Sequence, residues 1–230
     1  MSFPEVHLIC GTDIEAIQLA PVALAMRAAG LVRPILVSSN PGDLGLAAFD
    51  LTTDRIVPDG SLTDLIAGFD GLWAARTPDA IVVPGLTVTS LAAALAAVWR
   101  HVPVVHLGAG RRADEFEQSS DPDLEADARL ITQLATVHLA PTPVAAMNLL
   151  DEGIAAGDIL IAGDTTYDAA LAVARRHLSS SQIAHTNPYG DGRSADRAAQ
   201  ATAALLGLAG RPEPMPVPVS YAPATATFGA

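Results

Sequence analysis

The feature that most constrains the fold of this 230-residue chain is an alternation between short apolar runs and segments of helical periodicity. The apolar runs are hydrophobic on both sides, as parallel strands covered by helices on both faces must be. This alternation predicts an α/β protein with a single Rossmann-like, doubly wound parallel sheet. The predicted strands are 5–10, 33–38, 80–85, 102–107, 137–140 and 158–163. The predicted helices are 14–29, 44–50, 61–76, 87–100, 123–135, 142–151 and 166–178.

Charge and composition exclude several classes of partner. The formal net charge is −12, which argues against nucleic acid or an anionic membrane as a partner. Cys10 is the single cysteine, so no internal disulfide is expected, and we interpret it as an inert core thiol. The sequence contains no spacing typical of a metal site and no dinucleotide fingerprint, so we expect neither metal nor cofactor. No apolar stretch is long enough to span a bilayer, and we expect a cytoplasmic protein.

The stretch CGTDIEAIQLAP, residues 10–21, joins the first predicted strand to the first predicted helix. A turn of this kind places a helix N-terminus where it can bind an anion. Asp13 and Glu15 nevertheless put carboxylates in this turn, and no Lys or Arg lies nearby in the sequence. The local charge therefore opposes the ligand that the backbone geometry favours.

The composition divides the chain into four regions. Residues 1–176 form the predicted Rossmann-like domain, and residues 177–190 form a polar linker. An amphipathic terminal helix is predicted within 191–209. Residues 210–230 contain five prolines, so we expect a disordered or polyproline-like tail.

Several stretches resemble the non-hydrolysing UDP-N-acetylglucosamine 2-epimerases. Residues 10–21 are similar to that family's G-T-R-P-E-A-I-K-x-A-P, and PGLTVT (84–89) is similar to H-G-D-T-x-T. PVVHLGAGRR (103–112) resembles P-V-x-H-V-E-A-G-L-R, and GDTTYDAAL (163–171) resembles G-N-T-V-I-D-A-L. The segment that begins LEADAR (124–129) follows the family's P-E-E-x-N-R segment, whose first glutamate falls at Leu124. The resemblance keeps its register over residues 5–173.

The resemblance implies a two-domain architecture of the glycosyltransferase-B type, of which this chain matches the first half. Family members bind a nucleotide sugar between the domains, eliminate UDP and add it back with C2 inverted, without metal or nicotinamide. NPYGDGRSADRAAQATAAL (187–205) resembles the family's last segment and helix, so we expect the second domain to be missing and the terminal helix to pack on the first domain. Because the family dimerises through that domain, a homodimer or a heteromer with a full-length epimerase is the expected assembly.

The resemblance also identifies candidate site residues. Those retained for ligand binding are Gly11, Thr12, Glu15, Thr87 and Arg112. No catalytic residue is assigned; Glu125 and His106 are weak candidates. His106 is either a base or a hydrogen-bonded core histidine, and Glu125 is either an acid–base group or a solvated carboxylate. Arg112 either binds an anion or pairs with Asp114 or Glu115.

At other positions of the family motif, this chain has residues that cannot supply the charge of the family residue. Asp13 and Gln18 replace an Arg and a Lys, whereas Leu86, Gly108 and Leu124 replace acidic residues. At about 4 Å and an effective dielectric of about 20, one charge contact is worth ~4 kcal/mol, which outweighs an exposed helix dipole at under about 1 kcal/mol.

The sequence therefore favours a truncated, divergent epimerase-like protein that lacks 2-epimerase activity by itself and acts as a structural or regulatory partner. The alternative is a nucleotide-sugar enzyme with altered chemistry or with a site completed by a partner chain. A small-molecule binding module that uses the open ends of the strands is a third hypothesis.

Overall fold

The computed structural model describes residues 3–42, 44–85, 87–112, 122–175 and 189–216. Its centre is a seven-stranded, entirely parallel sheet with the strand order β3-β2-β1-β4-β5-β6-β7. The strands are β1 (Glu5–Cys10), β2 (Arg33–Ser38), β3 (Arg55–Ile56), β4 (Ala80–Val83), β5 (Val104–Leu107), β6 (Val137–Ala140) and β7 (Ile159–Ile161). The order reverses between β1 and β4, which opens a crevice at the carboxyl ends of these two strands.

Helices cover both faces of the sheet. They are α1 (Asp13–Ala29), α2 (Leu62–Ala75), α3 (Val88–Trp99), α4 (Pro122–Leu134), α5 (Pro143–Asp151), α6 (Thr165–Ala174) and α7 (Ser194–Leu205). Helices α1, α6 and α7 pack in one core, and α2, α3 and α4 pack in the other. The predicted α/β, Rossmann-like fold is therefore confirmed. Among the described helices, none has the length and apolarity needed to cross a membrane.

Several local predictions differ from the structure, and three of the differences have a physical reason. The predicted helix 44–50 is a short 3-10 turn, Leu46–Phe49, because left-handed residues Gly45 and Asp50 stand at its two ends. Strand β3 was not predicted, since two residues carry too little pattern. The strand predicted to reach residue 85 ends at Val83, because Pro84 has no N–H to donate and Gly85 has a φ of 74°.

Helix α7 lies against α1 and α6, although most of the preceding predicted linker, 176–188, lies outside the described residues. Ala198, with no exposed surface, belongs to the core that α7 shares with α1. The carboxylate of Asp168 on α6 accepts a hydrogen bond from the Ala195 N–H at 2.6 Å. This contact satisfies one of the free N–H groups in the first turn of α7. The helix is therefore fixed by apolar burial and by a buried polar contact.

Residues 211–216, at the start of the predicted disordered or polyproline-like tail, are described and form neither helix nor strand. These residues run alongside β7, and the Met215 N–H donates to the Ile161 carbonyl at 2.7 Å. Met215 is 4% exposed, so the free energy gained by burying its side chain offsets part of the conformational entropy that this short segment loses on ordering. Residues 217–230 lie outside the described part of the chain.

The buried carboxyl of Asp168 makes stability depend on pH. Burial raises its pKa from 3.8 to about 6, against the opposing hydrogen bond from Ala195. Because the folded pKa is above the unfolded one, the stabilisation is complete below about pH 4 and is lost as pH rises through about 6. Relative to Asp168→Asn, the wild-type free energy of unfolding should fall by roughly 3 kcal/mol between about pH 4 and pH 7.

Urea denaturation at a series of pH values measures this difference. The matched control is Asp151→Asn, which removes an exposed carboxylate at the end of α5 and should follow the wild-type profile. Parallel wild-type and D168N profiles would contradict the assignment of a protonated buried carboxyl.

Candidate functional site

A cavity of about 330 Å³ opens at the carboxyl ends of β1, β2 and β4, on the crevice where the strand order reverses. Three of the predicted ligand-binding residues, Gly11, Thr12 and Thr87, lie in its wall. Asp59 is the only charged residue among the described lining residues. The cavity therefore offers hydroxyl, amide and backbone groups, together with one negative charge, to a bound molecule. The remaining lining residues are Ser39, Asn40, Pro41, Gly60, Leu65, Val88 and Thr89.

Glu15, the fourth predicted binding residue, lies beneath this cavity and does not line it. Its side chain has no exposed surface. The carboxylate accepts hydrogen bonds from the Gly11 N–H at 2.8 Å, the Thr87 hydroxyl at 3.0 Å and the Ser90 hydroxyl at 2.8 Å. These contacts join the first turn of α1 to the first turn of α3. Glu15 therefore acts as an internal cross-link between two helix N-termini.

The hydroxyl groups of the two N-cap residues have structural roles as well. The Thr12 oxygen accepts from the Glu15 N–H at 3.4 Å, and the Thr87 oxygen accepts from the Ser90 N–H at 3.3 Å. These contacts cap α1 and α3.

Gly11 is required in this wall because a Cβ atom there would lie 2.6 Å from the Thr89 hydroxyl. Thr89 in turn shares a hydrogen bond of 2.8 Å with Ser39. The close approach of the first turn to α3 therefore needs a residue without a side chain.

Asp13 and Gln18 stand where the family motif has Arg and Lys, and the structure shows the environment of each side chain. Asp13 is exposed in the first turn of α1. Gln18 is 6% exposed, and its amide donates to the Thr166 hydroxyl at 3.4 Å. The Gln18 side chain therefore connects α1 to α6.

His106 is buried within the sheet, and the structure favours its interpretation as a core histidine. It is 2% exposed, and its Nδ1 lies 3.3 Å from the Thr132 hydroxyl. A Cβ on Gly85 would lie 2.1 Å from its Nε2, so only glycine fits beside the ring. Burial, followed by the charges of His138, Arg112 and Arg111, lowers the pKa of His106 to about 3. The ring is neutral near pH 7 and does not line the cavity.

Glu125 and Arg112 take part in ion pairs away from the cavity. Glu125 pairs with Arg129 one turn later on α4, at 2.6 Å. Arg112 donates to the carboxylate of Glu152 at the end of α5, a partner that the sequence did not suggest. Asp114 and Glu115, its expected partners, lie outside the described residues.

A second ion pair that was not predicted lies at the end of β5. Arg111 donates to the carboxylate of Asp164, and each side chain is 17% exposed. Asp164 also caps α6 by accepting from the Thr166 N–H at 2.8 Å. The pair thus ties the segment after β5 to the first turn of α6.

Sequence reasoning missed the side of the cavity formed by Ser39, Asn40 and Asp59. The available signal was their position, because Ser39 and Asn40 directly follow a predicted strand and so must lie at its carboxyl end.

Three positions carry an acidic residue in the family motif and a non-acidic residue in this chain. Two of them, Leu86 and the side chain of Leu124, lie outside the described part of the structure. Gly108 is described, and it has a φ of 74°.

Cys10 is buried, which raises its pKa to about 12 and leaves an unreactive thiol.

The chain is similar in sequence to known proteins. The family model described as UDP-N-acetylglucosamine 2-epimerase matches residues 42–185. A probable UDP-N-acetylglucosamine 2-epimerase of Ralstonia solanacearum is 32% identical over 184 residues, covering 75% of this chain and 48% of the relative. The UDP-N-acetylglucosamine 2-epimerase of Escherichia coli K12 is 32% identical over 203 residues, covering 81% and 54%.

The chain is also similar to solved structures of the same family. The Neisseria meningitidis UDP-GlcNAc 2-epimerase, solved with UDP-GlcNAc bound, superimposes with a TM-score of 0.67 at 30% identity, over 78% of this chain and 51% of that one. A lipopolysaccharide outer core galactosyltransferase, 13% identical with a TM-score of 0.50, shares the fold alone. The chain spans about half the length of the curated relatives it matches. With a family model covering well over half of its residues, this chain belongs to the UDP-N-acetylglucosamine 2-epimerase family.

Proposed function

We propose that this chain is a truncated, divergent member of the family that lacks 2-epimerase activity by itself and serves in the cytoplasm as a structural or regulatory partner. It would act as a homodimer or as a heteromer with a complete epimerase. The observation that carries the proposal is the charge of the cavity, whose described lining includes Asp59 and no cation. A diphosphate entering it would meet repulsion where the family motif supplies Arg and Lys.

The ion pair between Arg111 and Asp164 supports the same proposal. These residues stand where the family motif has Leu and Asn, so both charges are features of this chain. Arg111 could otherwise attract a phosphate, but its guanidinium is already bound to a carboxylate. Binding an anion there would require breaking a partly buried pair, which leaves Asp164 without its partner. The pair therefore does not replace the cations lost at Asp13 and Gln18.

Exposed apolar side chains support a role in association. On α5, Val144, Met147 and Leu150 are 51%, 62% and 48% exposed, and their spacing places them along one side of the helix. Trp99, at the end of α3, is 67% exposed. Large aromatic and methionine side chains of this kind are typical of protein interfaces. We infer that these helices face a partner chain.

The alternative function is a nucleotide-sugar enzyme with altered chemistry or with a site completed by a partner. Two observations favour it: a 30% identical relative was solved with UDP-GlcNAc bound, and the retained residues Gly11, Thr12 and Thr87 still line an open cavity. In this case a partner would supply the cations and the acid–base groups that the described cavity lacks.

Calorimetry with UDP and with UDP-N-acetylglucosamine separates the two functions. For this chain alone we expect no binding tighter than millimolar and no deuterium exchange at C2 of the sugar, because the cavity repels the diphosphate. A complete family member measured in parallel is the positive control. Micromolar binding together with C2 exchange would overturn the proposal, whereas exchange that requires a complete epimerase in the mixture would favour the alternative.

Association should depend on the exposed face of α5. We expect sedimentation velocity to show a dimer, or a complex with a complete epimerase, that Met147→Glu weakens at least tenfold by burying a charge in the interface. Asp151→Asn, exposed at the end of the same helix, is the control. An M147E protein that associates as the wild type does would exclude this face.

The structural role of Glu15 is tested by Glu15→Gln. The amide keeps the shape but loses the charge that holds three donors, so the free energy of unfolding in urea should fall by about 2–3 kcal/mol. Glu125→Gln, which breaks an exposed pair on α4, should cost less than about 1 kcal/mol. Equal effects of the two substitutions would contradict the cross-link.

A further inference from the structure

Strand β7 is one of the two edges of the sheet, and residues 211–216 lie along it. We call these six residues, Arg-Pro-Glu-Pro-Met-Pro, the strap. An uncovered edge strand presents unpaired carbonyl and N–H groups to any extended chain that approaches it. The contacts of the strap show how this edge is occupied.

The strap binds the backbone of β7 at both of its ends. The Arg211 guanidinium donates to the carbonyl groups of Gly157 and Ile159, just before and at the start of β7. The Met215 N–H donates to the Ile161 carbonyl, at the end of the strand. The strap therefore runs in the same direction as β7 and satisfies its outward carbonyl groups.

Helix α7 holds the strap from the other side. The Arg197 guanidinium donates to the Glu213 carbonyl at 3.3 Å, and the Gln200 amide donates at 3.0 Å to the carbonyl of Gly210, the residue directly before the strap. Arg197 is 8% exposed, and it also donates to the Ala162 carbonyl at 3.2 Å. Its charge is balanced by Asp191, at 2.6 and 2.8 Å. The buried guanidinium thus joins the helix, the end of β7 and the strap.

Side chains of the strap enter apolar positions. Pro212 is buried, and Met215 is 4% exposed beside Gly163, where a Cβ would lie 3.1 Å from the methionine sulfur. A groove of about 420 Å³ remains between the strap, β7 and α5, and it is lined by Leu150 and Ile161 among others. The edge therefore combines backbone acceptors, a pocket for a thioether and an apolar wall.

We propose that the β7 edge is a binding site for an extended, proline-interrupted peptide, and that the strap occupies it in cis to prevent pairing with a second copy of the chain. The prolines at 212, 214 and 216 have no N–H, so the strap covers the edge but cannot act as a regular strand that would itself be extended. The sequence Ile-Leu-Ile of β7 has no charge to oppose pairing with its own copy. Two such edges related by a two-fold axis would form one continuous sheet.

The full-length double variant Arg211→Ala, Met215→Asp tests the proposal by detaching the strap. We expect hydrogen exchange at the residue 215 amide to rise at least tenfold and sedimentation velocity to show a species of higher order than the parent protein. A synthetic peptide of residues 210–216 should bind this variant and return it to the parental state. Glu213→Gln, whose side chain is exposed, is the matched control and should change nothing.

The single variant Arg211→Ala keeps Met215 in its pocket. It is the control for misfolding caused by Met215→Asp, and circular dichroism checks that both variants fold. It should show a smaller rise in exchange and weaker association than the double variant. Faster exchange without association, or association that the peptide fails to reverse, would overturn the proposal. These outcomes do not depend on nucleotide-sugar binding. Leu150 of α5 lines the same groove, so the association of the strap variants is compared with that of Met147→Glu, which alters the exposed face of α5 and leaves the strap intact.

Discussion

The buried carboxylate of Glu15 determines the arrangement around the crevice. A charge with no exposed surface is tolerated only when donors surround it, and here the donors come from Gly11, Thr87 and Ser90. Removing any of them would leave the charge partly unsatisfied. This requirement gives the Gly-Thr turn and the Thr87 cap a structural role in a chain whose described cavity lining contains no cation. Gly11 and Thr87 therefore belong to a structural cross-link as well as to the wall of the cavity.

Much of the fold could be predicted from sequence, because two-sided apolar strands alternating with helices leave few arrangements for a parallel sheet. Strand β3 was missed since Arg55 and Ile56 carry no detectable periodicity. Motif similarity selected Gly11, Thr12 and Thr87, and these three residues line one cavity; their role in ligand binding stays a prediction. The partners Glu152 and Asp164 were not predicted, because ion pairs between distant segments leave no local pattern.

Burial also changed the chemistry that residue types suggested. His106 has the side chain of a base, but burial, followed by the nearby charges of His138, Arg112 and Arg111, lowers its pKa to about 3. The prolines of the tail suggested a disordered or polyproline-like segment, and composition alone could not show that residues 211–216 find hydrogen-bond acceptors on β7. In both cases a neighbour far away in sequence decided the outcome. The surrounding structure, more than the residue itself, sets what such a side chain can do.

Helix α7 packs on α1, although more than a hundred residues separate them in the chain. A ribosome therefore delivers the apolar side of α1 long before the helix that covers it. During this interval the nascent domain presents an unfinished core, and contacts of such large sequence separation close slowly. Production of this protein should consequently be more sensitive to translation speed and to chaperone supply than the stability of its finished fold would suggest.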